Sequence, residues 1–98
     1  MRGRMDGAAE NAKVVYDQVF RALGDPHRLQ IVELLSKKEM SAGEVLDSLD
    51  IVQSTLSHHM KTLTQAGAVN ANRHGKWVHY SINLEVLQKA YERIGEIL

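Results

Sequence analysis

The chain of 98 residues contains no cysteine, a single proline, one tryptophan and one phenylalanine. Without cysteine, disulfides, zinc–thiolate sites and thiol redox chemistry are excluded together, and the compartment leans towards the cytoplasm. No run of about 18 apolar residues occurs, so membrane insertion is not expected. Arg2 and Arg4 stand near the N-terminus with no apolar stretch behind them. That pattern argues against a signal peptide and for a flexible, solvated tail over residues 1–9, ahead of one domain over 10–98. No nucleophile stands at a motif spacing from a base, and neither a glycine-rich phosphate loop nor HExxH is present. An enzyme is therefore not expected.

One absence is local. Twelve Lys and Arg balance twelve Asp and Glu, for a formal net charge of zero, yet no acid occurs between Asp50 and Glu85. A neutral chain that keeps its acids out of one window is suited to a polyanion there, which points to nucleic acid.

The local signals around that window divide the chain into short elements. Gly24-Asp25-Pro26 reads as a helix stop and a helix start, with Gly as C-terminal cap, Asp as N-cap and Pro at the first helical position. It separates a helix over about Glu10 to Leu23 from one over about Pro26 to Ser36, whose apolar residues Leu29, Ile31, Val32, Leu34 and Leu35 place it in the middle of the core. Ser41-Ala-Gly-Glu44 fits a capping box opening a short helix to about Leu49. After a tight connection, a further helix runs from Gln53 or Ser54 to about Ala66, and Gly67 ends it. Two helices joined by so short a turn form a helix-turn-helix. Val69–Asn72 and Trp77–Ile82 read as strands joined through His74-Gly75, and Asn83 caps a last helix to Leu98. The expected fold is mainly α with a β-hairpin: a dimeric winged helix-turn-helix in the order α-α-α-α-β-β-α.

On the helix from Ser54, Leu56, Met60 and Leu63 make a buried stripe. Gln53, Ser54, Thr55, Ser57, His58 and Lys61 then face away from it, as hydrogen-bonding side chains suited to a major groove, with Lys61 reaching a phosphate. Arg73-His74-Gly75-Lys76 forms a basic hairpin tip, which would set Arg73, His74 and Lys76 at a flanking minor groove or its phosphates. Trp77 and Tyr80 read as core or interface packing residues, and His79 as a structural histidine. Adjacent on a helix, His58 and His59 point about 100° apart and do not chelate one ion together, so His58 is given to DNA and His59 to a structural hydrogen bond. No metal site and no cofactor is expected. The last helix has two apolar stripes, one of Leu84, Leu87, Tyr91, Ile94 and Leu98, the other of Val86, Ala90 and Ile97. One stripe exceeds what a monomer can cover. A homodimer interface is expected from Val15, Val19, Val86, Ala90, Ile94 and Ile97.

Phe20 to Val32 (FRALGDPHRLQIV), Gln53 to Met60 (QSTLSHHM), Leu63 to Gly67 (LTQAG) and Gly75 to Tyr80 (GKWVHY) together resemble the ArsR–SmtB repressors over about Val19 to Leu87. The resemblance implies a homodimeric winged-helix repressor that leaves its operator when an effector, small molecule or protein, binds. Many members carry Cys-x-Cys where this chain has Met40-Ser-Ala-Gly-Glu-Val45. Others carry an Asp-x-His pair where Leu84 and Val86 stand. The chain is thus similar to a branch that lacks the metal sites and includes autorepressors. Two alternatives stay open: a metal-responsive repressor using unusual ligands among His27, His74, His79, Asp17 and Glu92, and a protein-interaction module built on the same fold.

Overall fold

A computed structural model of the chain describes residues 16–98. The expected tail, the first half of the first helix, and with them Val15, lie outside the described residues. The description opens in a helix, α1, over 16–23. There follow α2 (Pro26–Leu35), β1 (Met40–Ser41), α3 (Ala42–Asp47), α4 (Gln53–Gln65), β2 (Val69–His74), β3 (Trp77–Ile82) and α5 (Leu84–Ile97).

The helix starts form as their sequences dictate. Asp25 caps α2, its carboxylate accepting from the N–H of His27 at 2.9 Å and of Arg28 at 3.1 Å, and Pro26 opens the helix where no N–H is needed. Gly24 is the exception: its φ is not positive, so it ends α1 without the left-handed conformation for which glycine is usually needed. Both halves of the α3 capping box form, Ser41 Oγ accepting from Glu44 N at 3.2 Å and Glu44 Oε1 from Ser41 N at 3.0 Å. Asn83 caps α5 through Val86 N at 3.2 Å. The end of α4 is a full Schellman motif: Gly67 has φ +83°, its N–H donates to Thr64 at 3.1 Å, and Ala68 N donates to Leu63, also at 3.1 Å. The chain therefore leaves the helix in a fixed direction, straight into β2.

The sheet has three antiparallel strands in the order β1-β3-β2, one more than the sequence suggests. A two-residue strand carries no periodicity of its own; it exists because Met40 pairs with Tyr80 and Ser41 with His79. The hairpin turn is Gly75-Lys76, not His74-Gly75, since His74 pairs with Trp77. With φ +65° at Gly75 and a negative φ at Lys76, it follows the type II′ pattern, whose twist matches the flanking strands.

The core gathers Ala22, Ile31, Leu35, Met40, Val45, Leu56, Met60, Leu63, Ala66, Ala68 and Val69, with Tyr80, Ile82 and Leu87 packed against it. Leu29 is exposed rather than central. Trp77 is 65% exposed and packs in no core; it stands beside the turn, with Lys76 Nζ 6.0 Å from its ring centre. The two stripes of α5 also fall differently from expectation. Ala90 is 3% exposed and Val19 in α1 is at 0%, so both are filled from within the protomer and offer no surface to a partner. Leu84, Tyr91, Ile94, Ile97 and Leu98 are exposed, Val86 is half-buried, and of the stripe of Leu84, Leu87, Tyr91, Ile94 and Leu98 only Leu87 packs against the core. No helix among the described residues is long and apolar enough to cross a membrane.

Candidate nucleic-acid interface

The amphipathic pattern of α4 sets its orientation. Leu56, His59, Met60 and Leu63 are buried, which turns Gln53, Ser54, Ser57, His58 and Lys61 to solvent, with Thr55 half-buried. The N-cap is Val52, and no side chain caps the first turn. The backbone N–H groups there point outwards at the positive end of the helix dipole, an arrangement suited to a phosphate. Gln53, Ser57, Lys61 and Thr64 border a groove of about 310 Å³ whose other walls are Ala42, Gly43 and Leu46 of α3 and Ala71 and Tyr80 of the sheet. Thr62 and Thr64 turn their hydroxyls back to the carbonyls of His58 and Lys61, each at 3.1 Å.

His59 anchors α4 from behind. Its Nδ1 lies 3.2 Å from Arg28 Nη1, and Arg28 also donates through Nε to the Ala22 carbonyl. Guanidinium only donates, so Nδ1 is the bare acceptor and Nε2 carries the proton. That proton faces Asp25 Oδ1 at 4.0 Å. Burial is the foremost cause holding the His59 pKa below its ordinary value; Asp25 opposes it, and Arg28, His27 and His58 add to it. The ring is therefore neutral at physiological pH, and its approach to Asp25 is not an ion pair. A histidine with a depressed folded pKa stabilises the fold above its unfolded value of about 6.5 and loses that contribution as pH falls through the folded value. The Asp25 carboxyl is held low first by the Arg28 N–H, and it gives way in the same direction, further into acid. The thermal midpoint is expected to fall between about pH 7.5 and 5.5, and His59→Gln is expected to flatten that dependence. An unchanged slope in the variant removes His59 as its source.

On the wing, Arg73, His74 and Lys76 are all exposed. Lys61, Arg73 and Lys76 pair with no carboxylate among the described residues. His74 differs: Glu39 Oε1 lies 3.4 Å from its Nε2 and also accepts from Asn72 Nδ2 at 3.1 Å. The Asn72 amide is the first cause that holds the Glu39 carboxyl below its usual range. The window without acids in the sequence thus receives one in space, from the residue just ahead of β1. Linear reading had no signal for Glu39, because its position follows from a strand pairing across 40 residues of chain.

The structure brings Gln53, Ser54, Ser57, His58 and Lys61 onto one exposed face of α4, leaves Thr55 half-buried beside it, and sets Arg73, His74 and Lys76 on one hairpin. It does not bring Asp17 or Glu92 together with the histidines. His74 and His79 do meet, with ring centres 5.1 Å apart.

Residues 23–70 match the model of a family described as a helix-turn-helix domain. The chain is 38% identical over 72 residues to the transcriptional repressor SdpR of Bacillus subtilis, covering 74% of this chain and 80% of that one. It is 39% identical over 69 residues to the arsenical resistance operon repressor of Staphylococcus xylosus, covering 70% and 66%. Its fold is similar, with a TM-score of 0.72 at 24% identity and covering 94% and 82% of the two chains, to a homodimeric winged helix-turn-helix DNA-binding domain from Mycobacterium bovis, titled a possible ArsR-family transcriptional regulator.

Proposed function

The chain belongs to the ArsR family of winged-helix transcriptional repressors, and from that premise we propose that it binds an inverted-repeat operator as a homodimer, with α4 in the major groove and the wing at the flanking minor groove. It is a DNA-binding repressor, a class defined by a binding surface and not by a reaction. The observation that carries the docking is the set of three exposed cations, Lys61, Arg73 and Lys76, with no carboxylate partner among the described residues. On an ordinary solvated surface of a neutral chain, acids would be interspersed among them. In this reading Lys61, Arg73 and Lys76 hold phosphates, the uncapped first turn of α4 holds another, and Gln53, Ser54, Thr55, Ser57 and His58 face base edges. An interaction module with a disused DNA face has no reason to leave those three cations unpaired.

Selection of bound sequences from a random duplex library tests this. The expected product is an inverted repeat with half-site centres one helical turn apart, about 10 base pairs. Equal affinity for the selected sequence and for random duplex at physiological salt would sink the proposal.

Two-fold binding needs a protein dimer, and the exposed face of α5 supports one. Tyr91 and Ile97 are 73% and 71% exposed, in company with Leu84, Ile94 and Leu98. A terminal helix that leaves so much apolar surface in water is suited to a self-complementary contact. Accordingly, Tyr91→Asp and Ile97→Asp are each expected to raise the dimer dissociation constant by at least about tenfold, roughly 1.4 kcal/mol. Sedimentation equilibrium measures this, and operator affinity should fall in parallel. A dimer unaffected by both changes would move the interface elsewhere.

A further inference from the structure

We propose that Glu39, His74 and His79 form a site for one divalent transition ion of the zinc class on the outer face of the wing. The site is separate from the DNA-facing surface of α4. Side chains alternate along a strand, and the helix-facing side of the sheet is taken by Met40, Tyr80 and Val69. His79 pairs across to Asn72 on one flank and to Ser41 on the other. His79 therefore belongs to the opposite face, and His74, two residues beyond Asn72 on β2, shares it. Glu39 arrives on this face from the other edge, immediately ahead of β1.

The geometry is close to a coordination sphere. One donor atom from each of the three residues lies within 4.8 Å of the other two. Metal–ligand bonds of about 2.0–2.1 Å in a tetrahedron put neighbouring donors roughly 3.3 Å apart. Glu39 Oε1 and His74 Nε2 are already at 3.4 Å, and His79 needs only a side-chain adjustment to complete the set. Two imidazoles and a carboxylate suit zinc, cobalt or nickel, with a fourth position left for water. The carboxylate is oriented from behind: Asn72 Nδ2 donates to Glu39 Oε1 at 3.1 Å and to Ser81 Oγ at 2.9 Å, the kind of support that fixes a ligand in place.

A second trio, Asp25, His27 and His59, meets the same distance criterion but is unsuited to a cation. The Arg28 guanidinium sits 3.2 Å from His59 Nδ1, and the Asp25 carboxylate is engaged by two backbone N–H groups. At the wing no guanidinium among the described residues pairs with Glu39, His74 or His79, and the group paired with His74 is the carboxylate itself. An ion there ties the approach to β1 to both strands of the hairpin. It also takes up Nε2 of His74, leaving only the Nδ1–H of that ring for any DNA contact.

The test uses tag-free, chelator-treated protein without DNA, so that its failure leaves the operator reading standing. Cobalt(II) is titrated by visible absorption and then displaced with zinc. One cobalt per chain with four-coordinate absorption is expected, and a zinc dissociation constant tighter than about 10 μM. Glu39→Gln, His74→Asn and His79→Asn, checked for folding by circular dichroism, should each weaken zinc binding at least about tenfold, while His27→Asn leaves it unchanged. Binding weaker than that limit, or binding that survives all three wing variants, overturns the site; loss through His27→Asn alone does so as well.

Discussion

Replacing Lys61, Arg73 and Lys76 together by alanine is expected to reduce operator affinity by roughly four orders of magnitude at about 0.15 M salt. Each phosphate contact on duplex DNA releases close to 0.9 of a counterion, so each contributes a factor of about five at that salt relative to 1 M. Three contacts per protomer become six in a dimer, and six such factors multiply to roughly 10⁴. The same count predicts that the slope of log affinity against log salt shallows by about five. Because all three side chains are exposed and pair with no carboxylate among the described residues, the variant should fold as the parent does, within about 0.5 kcal/mol each. Fluorescence anisotropy across a salt series gives both quantities. A loss below tenfold, or an unaltered slope, takes these residues off the DNA face. Ser57→Ala and His58→Ala should behave in the opposite way, changing which bases are preferred while leaving the slope alone.

The second large effect lies on the far side of the same helix. Leu63 is at 0% exposure, and its carbonyl accepts the Ala68 N–H that closes the end of α4. Leu63→Ala empties a well-packed position, which costs about 2–5 kcal/mol. Against a total of about 5–15 kcal/mol for a domain of this size, the middle of that cost range is about a third of the stability. The thermal midpoint should drop by roughly 10–30 °C, and the urea midpoint should fall at unchanged m-value. Both are best read at one protein concentration, since dimerisation adds to apparent stability. A loss under about 1 kcal/mol would mean that neighbouring side chains close the space.

What the sequence discloses and what it conceals divide along physical lines. The caps at Asp25, Ser41 and Asn83 and the stop at Gly67 are local chemistry, complete within a few residues, and each forms as read. The Leu56, Met60 and Leu63 stripe is equally plain, because the rest of that helix is polar. Helix α5 has apolar residues on too many sides for periodicity to choose among them. Tertiary packing buries Ala90, the smallest of them, and leaves the bulky Tyr91 and Ile97 outside. Strand β1, and with it the arrival of Glu39 beside His74, is a product of pairing across the chain that no window of sequence contains. The candidate DNA residues stand out through composition alone, in a window without Asp or Glu. The wing cluster was half legible, in its histidines and not in its carboxylate.

Ser41 closes a strand and caps a helix at once: it pairs with His79 on the wing and accepts the Glu44 N–H that opens α3. No linker separates the wing from the helix pair, so the stretch between them has no slack to give. On the proposed docking, the joint works as a gauge. The protein would measure the width and phase of the grooves it straddles before any base is read, and duplexes whose shape does not fit that span would be refused whatever their letters.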